Sequence, residues 1–247
     1  MATSMNTWAI LLAYSFIGAL SSHISGHHQP EVPGVEVQIA DVPYMASVHD
    51  GDTYLCGGVI ISHDYVLSSD INLGRLSNIP NNAYVRVGYS HRDHDGVVYN
   101  VSQITVVGPL ALLRTDTPIE FDTTTQSIEL PGQDEAYQTD APANIVGWGH
   151  PGRKDVEGEA HTFLKSLNVT VRTDGYCMDV YSEAMYDSAT MICVSGHEGC
   201  TGSSPLIQGN RVIGFDGDAC GCSEEGLPER FDAVAPLVDR IRGETGE

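Results

Sequence analysis

Short runs of β-branched and aromatic residues recur along the chain: "YVLSS" (65–69), "AYVRVGY" (83–89), "VVYNVSQITVV" (97–107), "ANIVGWG" (143–149), "LKSLNVTVR" (164–172) and "NRVIGF" (210–215). Clusters of Gly, Pro, Asn and Asp separate them, which is the punctuation of an all-β sandwich or barrel. A helical pattern is persuasive only at the end. In "PLVDRIRGETGE" it places Leu237, Val238 and Ile241 on one face, and Pro236 stands at the start, where its fixed φ suits a first helical turn. No repeat, low-complexity tract or obvious linker interrupts the strands.

The first residues follow a different pattern. "MATSMNTWAILLAYSFIGALSS" carries no charged side chain, and its apolar run from Ala9 to Leu20 ends in small residues, with Ala19 and Ser21 placed for cleavage after Ser21. This predicts a secretory signal over 1–21, although Lys and Arg are missing from its start. The run is shorter than the ~20 residues a membrane span needs. Residues 22–30, within "HISGHHQPEVPG", read as a short leader remnant, and 31–247 as the folded unit. The mature chain is expected to be secreted and extracellular.

Charge narrows the partners. Thirty-three acidic residues against twelve basic ones give a formal charge of −21. Such a field repels nucleic acid and anionic membrane, so neither is an expected partner, and it favours cationic ones. The ten histidines would reduce that charge in a mildly acidic lumen. Six cysteines in a secreted chain point to disulfides, and none of their spacings forms the two-pair pattern of a structural zinc site. "HRDHDG" (91–96) offers two histidines and two aspartates but reads as a solvated loop, so no metal and no cofactor is expected. Asn100-Val-Ser and Asn168-Val-Thr are possible glycosylation acceptors.

Five stretches, in order, resemble the chymotrypsin (trypsin-like) family of serine proteases. They are "DVPYMASV", "YLCGGVIISHDYVLSS", "ALLR", "VGWG" and "CTGSSPLIQGNRVIGF", with "PERFDAV" and the terminal helix completing the series. The resemblance runs from about Glu31 to the end and implies two six-stranded antiparallel β-barrels with an active-site cleft between them. Catalysis in that family needs a serine, a histidine base, a buried carboxylate and two oxyanion N–H groups. After "VLS" the family has Ala-Ala-His-Cys where this chain has Ser69-Asp70-Ile71-Asn72, so Ile71 stands in the base's place. Before "ALL" the family's Asp-Ile is replaced by Pro109-Leu110, and the loop ahead of it is short. Between Cys200 and Pro205 only four residues remain where six are expected, which leaves Ser203 or Ser204 for the nucleophile without its Gly-Asp-Ser-Gly-Gly frame. No catalytic residue is therefore expected, and Ile71, Pro109, Ser203 and Ser204 are degenerate positions.

The same comparison implies lost activation and a filled specificity pocket. Pro30 to Gly34 carries no basic residue before it and has Glu31 for the usual isoleucine. Glu198, Asp216 and Glu229 fall at pocket positions, the last two where glycine is usual, so a slot for arginine or lysine would be occluded. His49, His63 and His197 lie near family landmarks, but none falls at the base position, and nothing in the sequence indicates a relocated Ser/His pair. The resemblance implies disulfides Cys177–Cys193 and Cys200–Cys222. Cys56 loses its usual partner at Asn72, and Cys220 has no counterpart; the two could pair, stay free or bridge to another chain. Cys220 remains the alternative partner of Cys200.

The combined losses resemble the inactivated serine-protease paralogues of scabies mites, relatives of the dust-mite group 3 allergen proteases. That resemblance implies release into a parasite gut lumen and suppression of host complement through its recognition molecules, mannose-binding lectin among them, and through properdin. The alternatives are a decoy that sequesters substrates or inhibitors in the old cleft, and a cryptic hydrolase with displaced catalytic residues.

Overall fold

The computed structural model describes residues 34–70, 73, 82–92, 96–149, 163–195, 199–200, 203–217, 222–223 and 227–246, with backbone course alone at 199–200 and 222–223. The expected signal (1–21) and leader (22–30) lie outside the described residues, as do Ile71, Glu198, His197 and Cys220.

Among the described residues, seventeen strands and α-helices follow one another. β1 (Val35–Glu36) precedes β2 (Met45–Asp50), β3 (Thr53–Ile60), β4 (Tyr65–Ser69), β5 (Ala83–Val87), β6 (Val97–Val107) and β7 (Leu110–Thr115). After a long extended stretch come β8 (Ala141–Gly147), β9 (Lys165–Val171), α1 (Asp174–Met178), β10 (Met191–Val194) and β11 (Gly199–Cys200). β12 (Pro205–Gln208), β13 (Arg211–Asp216), β14 (Cys222–Ser223), β15 (Glu229–Ala233) and α2 (Val238–Thr245) complete the fold.

Side-chain alternation drives closure. In β5 the residues Ala83, Val85 and Val87 are buried while Tyr84 and Arg86 are half-buried, the period of two that a half-covered strand requires. Six such strands close in the order β2-β3-β4-β7-β6-β5, with Ala46, Val48, Ile60, Val66, Val85, Val87, Ala111 and Leu113 filling the interior. The second barrel runs β9-β10-β15-β13-β12-β8 and closes through the β8–β9 ladder, with β1 added on β9. Its interior holds Ile145, Val169, Val171, Ile192, Val194, Leu206 and Phe231. Two closed antiparallel barrels of six strands are thus the fold, as the sequence leads one to expect. A third apolar cluster joins them: Met45, Val59, Leu67, Leu110 and Leu112 from the first meet Trp148, Ile207, Val212 and Phe215 from the second.

Three details bear on the site. β6 and β7 are joined by only Gly108 and Pro109, with Gly108 at φ +65°, a conformation that suits glycine at the first position of a tight hairpin turn. α1, for which the sequence shows no helical pattern, carries Cys177 into a disulfide with Cys193, Cα to Cα 5.8 Å. Cys56 is a free thiol, fully buried. Of the outcomes open to it, bridging to another chain is therefore closed off in the folded state. Its sulfur lies 3.3 Å from the Ser68 hydroxyl, and burial pushes the thiol up to about 12, which leaves it protonated and inert. The Cα atoms of Cys200 and Cys222 are register partners.

The terminal helix matches its pattern. Ala235–Leu237 form a 3-10 turn, α2 follows with Val238 and Ile241 buried, and Gly246 ends it at φ 78°, a left-handed cap. Asn100 and Asn168 are both exposed, each on a strand.

Candidate functional site

The nucleophile segment enters the fold as a strap between the barrels. The Ser203 carbonyl accepts the Gly57 N–H at 3.2 Å, and the Ser204 carbonyl accepts the Asp216 N–H at 3.1 Å. Both serines are buried, 2% and 1% exposed, so neither hydroxyl meets a substrate from solvent. The register from Pro205, where β12 begins, explains this burial. Counting back through Gly-Asp-Ser-Gly-Gly-Pro puts Ser204 and Ser203 at the two glycines and Gly202 at the serine. Counting forward from Cys200 instead puts Ser204 at the serine, and whichever count is taken, the side chains of both degenerate positions pack inside. Gly202 itself lies outside the described residues.

The carboxylate corner is rebuilt as a turn. Pro109 is exposed on the two-residue connection, and its carbonyl accepts the Asp70 N–H at 2.9 Å. The Asp70 carbonyl in turn accepts the Leu73 N–H at 2.9 Å. Pro109, expected at the carboxylate's position, has no acid to orient an imidazole; Ile71, expected at the base's position, lies outside the described residues. One acid does stand here that sequence comparison passes over: Asp70, beside Pro109, with its Oδ1 buried and without a hydrogen-bond partner in the structure. Burial raises its carboxyl above the ordinary range. The signal was visible in "SSDIN", an acid directly before the base position.

Of the three pocket carboxylates, the structure describes two. Asp216 is buried on β13 opposite Phe231, while Glu229 is half-buried on β15 opposite Val194; Glu198 lies outside the described residues. Near the ends of β10, β13 and β15, a cavity of about 60 Å³ is lined by Met191, Gly217, Arg230, Phe231 and Asp232, and neither carboxylate lines it. Ligand sites usually run to roughly 300–1,000 Å³, so this space suits a few waters. A side chain at Gly217 would collide with the Asp232 carboxylate.

The structure does bring a serine and a histidine together, contrary to the reading that nothing indicates such a pair. Ser47 and His49 point the same way from β2, with Ser47 Oγ 2.8 Å from His49 Nε2, and the Tyr89 hydroxyl donates to the same Oγ. Spacing i, i+2 on a strand was the available signal. Ser47 is fully buried, and His49 is 7% exposed, stacked on Tyr84 at 4.8 Å. The pair is walled off from substrate and serves as an internal polar bridge. His63 is spent differently, with Nδ1 2.7 Å from the Ile119 carbonyl and its ring stacked on Phe121.

Burial, with Arg92 and Arg86 nearby, lowers His49 from 6.5 to about 4. Because the folded value is the lower one, the contribution to stability is complete above pH 6.5 and disappears as pH falls through 4. His49→Gln, which keeps a polar side chain, should therefore flatten the loss of stability across that window by on the order of 2 kcal/mol. Urea midpoints measured at half-unit pH steps check this; identical slopes for both proteins would refute it.

Among the described residues no group of three or more His, Cys, Asp or Glu is placed to hold a metal ion; His91 and Gly96 are described, and the residues between Arg92 and Gly96 are not. No helix among the described residues is long and apolar enough to cross a membrane.

Comparison with known proteins agrees with this geometry. The trypsin family matches residues 31–241. The vitellin-degrading protease of Bombyx mori is 24% identical over 85% of this chain and 83% of its own length, and a trypsin of Simulium vittatum is 27% identical over 92% and 98%. Among solved structures, the scabies mite inactivated protease paralogue S-D1 superposes with a TM-score of 0.73 at 22% identity, covering 87% of this chain and 97% of the other. Paralogue S-I1 gives 0.72 at 20%, covering 86% and 98%. With two closed barrels, the shared interface and a family match across nearly the whole folded unit, this chain belongs to the trypsin family.

Proposed function

We propose that this trypsin-family chain is a secreted, non-catalytic binding protein that suppresses host complement by engaging its components. The observation that carries the first half is the triad corner itself. A two-residue turn ending in Pro109 stands where the carboxylate belongs, and Ser203 and Ser204 are buried. Loss of activation points the same way, since Glu31 replaces the residue whose new terminus would order the cleft. With proton transfer, nucleophile and substrate slot all compromised, selection on the surface remains as the reason for keeping the fold.

The second half rests on the structural likeness to inactivated paralogues and on charge. A chain of net −21 attracts cationic proteins over a Debye length and holds them in a salt-dependent way. Recognition molecules of the classical and lectin routes, and properdin, are the components to test. Recombinant mature protein titrated into a human-serum lysis assay should protect the target cells dose-dependently, more strongly at low than at high salt. A heat-denatured sample is the control. Full lysis at micromolar protein would remove complement as the target.

A further inference from the structure

Between β9 and β10 the chain leaves the second barrel and folds into a small knob. Inside it, Cys177, Tyr186 and Cys193 pack with Tyr181 and Met191. Outside it, Tyr176, Met178, Val180 and Met185 are 37%, 52%, 49% and 48% exposed. Four of the eleven exposed large apolar side chains among the described residues thus fall within ten positions. Scattered exposed apolar residues are normal on a protein surface, but a concentration of them marks an interaction site.

The knob is held in shape. The Cys177–Cys193 disulfide closes its base. The Tyr186 and Tyr137 hydroxyls donate to Asp174 Oδ1. Arg230 donates to the Met185 carbonyl at 2.7 Å and lies over the Tyr181 ring, while the Tyr181 hydroxyl donates to the Pro228 carbonyl at 2.7 Å. Arg172 covers Tyr176 from the barrel side. An apolar surface fixed in advance loses little entropy on binding.

Within the segment itself only acids carry charge, while Arg172 and Arg230 of the barrel lie over Tyr176 and Tyr181. From Thr173 to Met191 there are four acids, Asp174, Asp179, Glu183 and Asp187, and no Lys, Arg or His. Asp174 is occupied by the two tyrosines, and Asp187 accepts from the Ala189 N–H and the Thr190 hydroxyl. Asp179 and Glu183 stand exposed on the rim. A second copy of this chain would bring the same acids against them, and an anionic membrane would be repelled likewise. An apolar centre with an acidic rim fits a partner of opposite rim charge.

We propose that this disulfide-anchored knob is a docking surface for a protein segment presenting apolar side chains flanked by Lys or Arg. The inference deepens the binding-protein reading above by assigning the binding to a place away from the old cleft. Apolar anchors supply the affinity, and Asp179 and Glu183 supply attraction and register.

The test uses the full mature chain and two immobilised amphipathic peptides with the same leucine face, one carrying lysine and the other glutamate. The lysine peptide should bind and the glutamate peptide should not. Replacing Met178, Val180 and Met185 together by serine should weaken binding at least tenfold, because truncating central apolar anchors commonly costs that much. Asp179→Asn with Glu183→Gln should weaken it several-fold and flatten its salt dependence. Val97→Ser with Val98→Ser, an exposed pair on β6, should change nothing. Equal binding of both peptides, no binding of either, or indifference to the knob variants would overturn the proposal. The single change Glu183→Gln, conservative and exposed, decides the question if the triple variant folds poorly. The same variants in the serum lysis assay separate the two claims. Protection unaltered by the knob variants sinks the docking surface and leaves complement binding standing, whereas knob-dependent peptide binding without protection does the reverse.

Discussion

Mixed with an acylating active-site titrant, the mature chain should release no burst, and its kcat/KM on arginine and lysine peptide substrates should fall on the order of 10⁶-fold below that of an active trypsin. Enzymes stripped of triad members keep roughly 10³–10⁴-fold acceleration over water through an intact oxyanion hole and substrate binding. Here those residual sources are compromised too. The segment between Cys200 and Pro205 is two residues short of the family's frame, and both serines in it are buried. Restoring side chains alone, with Ile71→His, Pro109→Asp and Gly202→Ser combined, should leave the rate at background. A burst from the unaltered chain, or a rate above background from the triple variant, would contradict the geometry. Since Ser47 and His49 are a buried serine–histidine pair in contact, any activity unexpectedly found should be tested first with Ser47→Ala.

The second large effect is on stability. Trp148 is completely buried where the barrels meet, stacked on Tyr89 at 4.8 Å, and its Nε1 donates to the Ser90 carbonyl at 3.2 Å. Trp148→Ala removes a large packed side chain and opens a cavity, which costs about 3–5 kcal/mol, while the Ser90 carbonyl keeps the Leu164 N–H at 2.8 Å. For a domain of 150–250 residues, about 2–4 °C is lost per kcal/mol, so the melting temperature should drop by about 6–20 °C. Val98→Ala on the exposed outer strand should stay within about 0.5 kcal/mol. Thermal unfolding followed by near-ultraviolet circular dichroism reads both. A tryptophan variant that melts with the parent would mean that the two barrels do not depend on this contact.

The strands were legible wherever packing follows local pattern. "YVLSS" and "VVYNVSQITVV" coincide with β4 and β6 residue for residue, because β-branched and aromatic residues fill each run and turn residues bound it. β4 is covered on both faces, with Val66 in the first barrel and Leu67 in the shared interface. The terminal helix was equally plain, since its buried face repeats at helical spacing and a proline and a glycine bracket it. α1 was not, because a five-residue helix carries too few turns for a period to show, and a disulfide and Asp174 hold it in place. Position by position, the residue types that depart from the family's catalytic pattern could be read from the sequence alone. Alignment could not say which way the serines face, since Ser203 and Ser204 keep a plausible letter in a shortened frame, and burial became visible only once β12 was placed. The Ser47–His49 contact escaped for a related reason. An i, i+2 pair on a strand shares a face, but sequence does not tell whether that face is open or covered by a neighbouring tyrosine.

The Gly108–Pro109 connection has a consequence for what this lineage can become. A changed letter is restored by changing it back, one step at a time, with each intermediate still folded. A missing stretch of backbone is different. The Pro109 carbonyl now holds the Asp70 N–H, so the turn has become part of the wall it once stood beside. Regaining hydrolysis would require inserting chain there, lengthening the segment before Pro205 and reopening the neighbouring slot, with no benefit until all three were present. On the non-catalytic reading proposed above, point mutation alone no longer leads home, and the surface is free to diverge for binding without competition from chemistry.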